Sequence, residues 1–139
     1  MLLAAPTTLL AAAVTVLAAL ICLGTAMLVA RTRNRHGIAP PAMTGCPEVE
    51  RALRVQGNTV EQALIFLPLL WMAALYFQGW IPGIIGVIWC VGRILYAAGY
   101  MAEPKKREVG FAISAFSTLA LAILAIIGIS GAWIATAAS

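Results

Sequence analysis

IPGIIGVIWCVGRILYAAGYM, from Ile81 to Met101, contains a single charged side chain, Arg93. A helix rises 1.5 Å per residue, so about 20 apolar residues cross the roughly 30 Å hydrocarbon layer of a bilayer. A soluble helix apolar on every face needs other elements to surround it. The rest of the chain cannot serve as that surround. Of its 139 residues 63% are hydrophobic and 10% are charged, and the mean hydropathy is +0.97. An ordinary soluble domain is about 25% charged.

Outward from this stretch the same pattern repeats. Thr7 to Ala30 and Val109 to Ala135 are uncharged, and Val60 to Phe77 carries only Glu61. Pro47, followed by Glu48 and Glu50, is a favourable helix start, because proline needs no donor there and acids suit the positive end of the helix dipole. The second helix therefore begins at Pro47, with an amphipathic extension outside the hydrocarbon. Gln78, Gly79, Trp80 and Pro82 form a tight turn, and Pro40, Pro41, Gly45 and Pro47 mark a loop. The expected fold is an all-α membrane protein: one domain over residues 1–139, with four transmembrane helices at about 7–30, 47–77, 81–101 and 109–135.

The first span lacks a positive leader and its apolar run is too long for a secretory signal, so it is expected to stay on the mature protein. Arg31, Arg33, Arg35, Arg51 and Arg54 lie around the first connection, and Lys105, Lys106 and Arg107 in the third. Cytoplasmic loops are enriched in Lys and Arg. Loops one and three are therefore expected in the cytoplasm, and both termini in the periplasm or a lumen, for a multi-pass protein of a bacterial inner membrane or an endomembrane.

The net charge of +4 reads as this topology signal plus attraction for anionic headgroups or an anionic ligand. No nucleic-acid motif accompanies it, so no nucleic-acid partner is expected. Cys22, Cys46 and Cys90 lack metal or redox spacing, and no metal is expected.

Charged groups inside a span are costly and usually face protein or water. Glu61 and Arg93 are such groups. In antiparallel helices they sit about 24 and 18 Å from the turn that joins them, at comparable depth. On helix two, Arg51, Arg54, Asn58 and Glu61 follow spacings of three and four and share a sector of roughly 80°, with Gln56 nearly opposite. Arg93, Tyr96 and Tyr100 share a sector of helix three. Two readings stand. The stripes brace a bundle, with Glu61 and Arg93 as a structural ion pair and the tyrosines as interfacial anchors; or they bind a ligand. Guanidiniums suit carboxylates, and Glu61 with Asn58 suits an ammonium, so that ligand is small, zwitterionic and net anionic.

Three blocks carry a resemblance. They are ERALRVQGNTVE (Glu50 to Glu61), GRILYAAGY (Gly92 to Tyr100) followed by Arg107, and the loop PPAMTGCP (Pro40 to Pro47). Together they resemble the MAPEG family, membrane-associated proteins in eicosanoid and glutathione metabolism, nearest its microsomal glutathione transferase 2 and leukotriene C4 synthase branch. The resemblance implies a homotrimer binding glutathione between neighbours at the cytoplasmic side. Arg54, Asn58, Glu61 and Tyr96 then hold the γ-glutamyl end, and Arg33 and Gln56 reach the glycyl end. Arg51, Arg93 and Tyr100 support them, and Arg107 activates the thiol. A lipophilic electrophile entering from the bilayer is the second substrate, and lipid hydroperoxide reduction by the same thiolate is a further activity. Asn34 and Gln62 depart from the arginine and tyrosine of leukotriene C4 synthase. Two other classes stay open: a non-catalytic lipid-binding or scaffold protein, and a small four-helix proton-coupled exporter. Small residues such as Gly83, Gly86, Gly128 and Gly131 allow close contact between subunits.

Overall fold

The computed structural model of the protein describes residues 6–77 and 79–138, with side chains from residue 8 onward. Four helices account for nearly all of it: α1 (Pro6–His36), α2 (Pro47–Tyr76), α3 (Ile81–Ala102) and α4 (Glu108–Ala137), with a 3-10 turn at Pro104–Arg107 before α4. All four are long and apolar enough to cross a membrane. Among the described residues there is no strand. Gln78 of the expected turn lies outside the described residues, and Gly79 adopts a φ of 81° in that turn.

Sequence accounts for the ends. Pro47 is at the start of α2, with Glu48 and Glu50 in its first turn. α1 continues six residues past Ala30 because Arg33, Arg35 and His36 occupy its last turn, where cations suit the negative end of the dipole. Arg35 and His36 then meet Glu48 of α2 at 3.2 and 2.7 Å. This exposed cluster contributes little stability. It does join the two helices across loop one.

The core runs down the middle of the bundle. Phe66 of α2 stacks on Trp89 of α3 with ring centroids 3.9 Å apart, and Leu70, Leu121, Val14 and Cys90 close around the pair. α2 and α3 touch each other and both outer helices, and α1 and α4 flank them. The inward face of α1 is a stripe of small residues at spacings of three, four and seven, Ala11, Val14, Ala18 and Thr25. Such faces let helices approach closely in lipid, where packing rather than water exclusion holds them together. The outward faces carry exposed leucines, isoleucines and Trp133, as a lipid-facing surface requires.

Hydroxyls inside the bundle are satisfied locally. Thr15, Thr25, Thr32, Thr59, Ser114 and Ser117 each donate to a carbonyl three or four residues back. That removes the cost of an unpaired polar group in hydrocarbon without linking helices. Within the span, Thr15 also links α1 to α2: Trp71 Nε1 donates to its Oγ1 at 3.1 Å.

Glycines set the tightest contacts, and they differ from the expected use. Gly83, Gly86 and Gly128 are taken up inside the subunit: a methyl group there would meet Leu10, Val14 or the backbone of Phe77, respectively. Only Gly131 of these four faces open space. The closest approach is between α3 and the start of α4. A Cβ on Gly110 would lie 2.6 Å from Tyr96 Cα and 2.7 Å from the Gly92 carbonyl oxygen, one on Gly92 would lie 2.9 Å from the Ser114 nitrogen, and one on Gly99 would strike the Lys106 carbonyl. The two helices touch backbone to backbone.

Candidate functional site

That contact fixes where the polar chemistry meets. Gly110 against Tyr96 and Gly99 against Lys106 leave no freedom to slide α4 along α3. Arg107, at the end of the 3-10 turn, is thereby set beside the last turns of α3. Its Cζ lies 5.0 Å from the Tyr100 ring centroid, and Tyr100 lies 5.7 Å from Tyr96, ring to ring.

Between these groups and α2 lies a cavity of about 350 Å³ lined by Arg54, Asn58, Tyr96, Arg107, Glu108 and Phe111. It opens at the end of the bundle that carries the α1–α2 loop and the 3-10 turn. Arg54 and Asn58 come from adjacent turns of α2, Tyr96 from α3, Arg107 from the end of the 3-10 turn, and Glu108 and Phe111 from the start of α4. Of the residues read from sequence, Arg54, Asn58, Tyr96 and Arg107 are thus brought together. Arg54 and Arg107 are exposed, Asn58 is half-buried and Tyr96 is buried. Two guanidiniums, an amide and a phenol on one wall suit carboxylates and an anionic sulfur.

Arg93 sits behind this wall, fully buried. Its Nη2 donates to Asn58 Oδ1 at 3.1 Å and to Thr59 Oγ1 at 2.8 Å, and its Cζ lies 4.1 Å from the Tyr96 ring centroid. The structural ion pair with Glu61 does not form. Glu61 is exposed and has no ion-pair partner among the described residues. Equal depth was not enough: Glu61 is rotated about 60° from Asn58 around α2, while Asn58 and Thr59 face α3.

Other predicted residues lie elsewhere in the subunit. Arg51 is half-buried one turn before Arg54, with its Nε shielded and unbonded. Gln56 is half-buried and Glu61 exposed, and neither lines the cavity. Arg33 lines a separate hollow with Asn34 and Ile38 at the end of α1 and donates to the Ile38 carbonyl at 3.3 Å. Sequence reasoning missed Glu108 and Phe111. The signal was present: Glu108 follows Arg107 directly, and Phe111 lies one helical turn farther on. A larger cleft, about 620 Å³, lies between α2 and α4 at the other end of the bundle. Met72, Tyr76, Ile129 and Trp133 line it, and it offers no charged group.

The sequence has relatives. A protein of Synechocystis without an assigned function is 48% identical over 101 residues, spanning 73% of this chain and 74% of its own. Human microsomal glutathione S-transferase 2 is 38% identical over 109 residues, 78% of this chain and 74% of its own. Guinea pig (Cavia porcellus) leukotriene C4 synthase is 33% identical over 113 residues, 81% and 75% respectively. The sequence profile of the MAPEG family matches residues 10–127, most of all four helices and both connections that flank the cavity, and the chain belongs to that family.

Proposed function

We propose that this integral, multi-pass membrane protein is a glutathione transferase that joins the glutathione thiolate to a lipophilic electrophile, with lipid hydroperoxide reduction as a second activity of the same thiolate. The observation that carries the reading is the cavity itself, which gathers Arg54 and Asn58 from α2, Tyr96 from α3 and Arg107 from the 3-10 turn. Two relatives are named for an activity, one as a glutathione S-transferase and the other as a leukotriene C4 synthase, and the first name supports the reading directly. Glutathione has two carboxylates, one ammonium and a thiol, a pattern that matches the cations and the amide of this wall.

Arg54, Asn58 and Tyr96 bind the γ-glutamyl end, with Arg93 and Tyr100 behind them. Arg107 holds the thiolate. A thiol of ordinary pKa, about 8.5, is mostly protonated at neutral pH, and a nearby guanidinium favours its anion without accepting the proton, which leaves to water. The sulfur then attacks an electrophilic carbon of a substrate that reaches it from the bilayer; the carbon–sulfur bond forms as a leaving group departs or a strained ring opens, and the released anion takes a proton from water. With a lipid hydroperoxide the thiolate attacks the terminal oxygen, the O–O bond breaks to release the alcohol, and a second glutathione converts the resulting sulfenic acid to the disulfide and water. Two features favour a site completed by a second copy in a trimer. Glu61 is an unpaired carboxylate within the span sequence and faces outward, and such a group needs a partner. Gln56 and Arg33 also lie outside the cavity. In the trimer, Glu61 receives the ligand ammonium, an adjacent copy supplies Arg33 and Gln56 to the glycyl end, and Arg51 backs Arg54.

The direct test adds glutathione to the purified protein in detergent and reads thiolate absorbance. A stoichiometric rise is expected, and no rise at saturating glutathione removes the reading. Glu61→Gln tests the ammonium contact. A hydrogen bond to a charged group is worth about 1.5–3 kcal/mol, so glutathione affinity should fall roughly ten- to a hundredfold. The thermal midpoint should hold, because Glu61 makes no ion pair in the fold. Unchanged affinity would remove Glu61 from the site. The orientation follows from the basic loops: tags at either terminus should be cut only by protease outside the cytoplasm, and cutting of both from the cytoplasmic side reverses it.

A further inference from the structure

Arg93 is the one charged side chain that the described fold buries completely, and it does not line the cavity. Its surroundings are unusual for a buried cation. It has no carboxylate partner, and its Nε and Nη1 are shielded and unbonded. As a brace alone, a buried charge in this state is a poor choice, since apolar residues of similar volume often do as well or better.

The two hydrogen bonds it does make dictate something about their acceptors. A guanidinium has five donors and no acceptor, so the atom of Asn58 turned toward Arg93 has to be its oxygen. The amide nitrogen, with two hydrogens, is then the group left for other partners. Thr59 is constrained in the same way. Its hydroxyl donates to the Val55 carbonyl at 2.7 Å, so it offers Arg93 only lone pairs. The guanidinium also lies over Tyr96, the other buried wall residue.

We propose that Arg93 is a positioning residue that makes the Asn58 end of the cavity selective for a carboxylate. It fixes the amide so that only its donors remain for the ligand, beside the Arg54 guanidinium, and it holds the Tyr96 ring without touching the ligand. A carboxylate accepts from both donors. A carboxamide lacks the negative charge that suits Arg54, and it presents hydrogens that neither the Asn58 amide nitrogen nor the Arg54 guanidinium can receive. The identity of the ligand as glutathione rests on the function proposed above; the orientation of Asn58 does not.

The test compares glutathione with its analogue in which the γ-glutamyl α-carboxylate is a primary amide, by titration calorimetry on the detergent-solubilised protein. The parent should prefer the carboxylate by roughly tenfold or more. Arg93→Gln, which can donate or accept, lets Asn58 turn over, and the preference should shrink to about threefold or less. Arg93→Lys, again only a donor, should keep most of it. A merely structural role predicts that the two variants change both affinities together and leave the ratio intact, and that result overturns the proposal. A second measurement needs no ligand: the side-chain amide resonances of Asn58, assigned by their loss in Asn58→Ala. They should be a single sharp pair in the parent and Arg93→Lys, and shifted or broadened in Arg93→Gln. Identical spectra in all three overturn the proposal. If the parent binds neither ligand, the glutathione reading falls, and the resonances still decide the role of Arg93.

Discussion

Gly110→Ala should lower the thermal midpoint of the detergent-solubilised protein by about 10 °C, or prevent folded protein from accumulating at all. Overpacking usually costs about 1–3 kcal/mol because neighbouring side chains move aside. Here the new methyl meets backbone, at Tyr96 Cα and the Gly92 carbonyl oxygen, and backbone inside two packed helices has nowhere to go. The upper end of that range corresponds to about 10 °C for a chain of this size. The variant that does fold should also lose glutathione binding, because separating α4 from α3 carries Arg107 and Glu108 away from Tyr96. Gly131→Ala is the control. Nothing lies within 4 Å of its Cβ position, and alanine is the better helix former, so its midpoint should stay level or rise slightly. Equal midpoints for the two variants would show that the α3–α4 contact does not limit stability.

Arg107→Ala should leave glutathione affinity within a fewfold of the parent while lowering turnover about ten- to a hundredfold at neutral pH. A cation within about 4–6 Å of an ionising group lowers an acid's pKa by roughly 1–3, and its loss returns the thiol toward its ordinary value. The deficit should therefore shrink as pH rises, since the free thiol ionises on its own above about 8.5. Arg107→Lys should recover part of the rate, because an ammonium supplies charge but not the forked donors. Lys105 and Lys106 cannot substitute: both are exposed, Lys106 pairs with Glu103 at 3.4 Å, and neither lines the cavity. If the alanine variant conjugates a model electrophile as fast as the parent across neutral pH, Arg107 is not the thiolate stabiliser.

The number and kind of helices were legible because crossing a bilayer demands uninterrupted apolar runs. The sequence also showed the start of α2, where Pro47 and two acids coincide. It did not show that α1 runs to His36, because the arginines that end the apolar run also stabilise the last turns of the helix. Spacing on α2 and α3 and the family blocks brought forward Arg54, Asn58, Tyr96 and Arg107. What spacing could not give was rotation about the helix axis between neighbours. Depth placed Glu61 opposite Arg93, and the actual rotation pairs Arg93 with Asn58 and Thr59. Glu108 and Phe111 were out of reach for a related reason. Their place on the cavity wall depends on the register of α4 against α3, and that register is set by backbone contact at glycines.

The same glycine contacts bear on how the protein meets membranes of different thickness. A spanning bundle adapts to a thinner or thicker hydrocarbon layer by tilting its helices, at a modest cost for each ångström of mismatch. Helices separated by side chains can tilt one at a time. α3 and α4 are less free to do so, because at the loop end Gly99 and Gly110 meet the backbone of Lys106 and Tyr96 with no side chain between. They lean as a single plate, and Tyr96, Tyr100 and Arg107 lean with them at unchanged separations. α1 is tied to its neighbours through side chains instead, by Leu10 and Val14 against Gly83 and Gly86, the Trp71–Thr15 bond and the exposed contacts of Arg35 and His36 with Glu48, and it is the helix freer to take up mismatch.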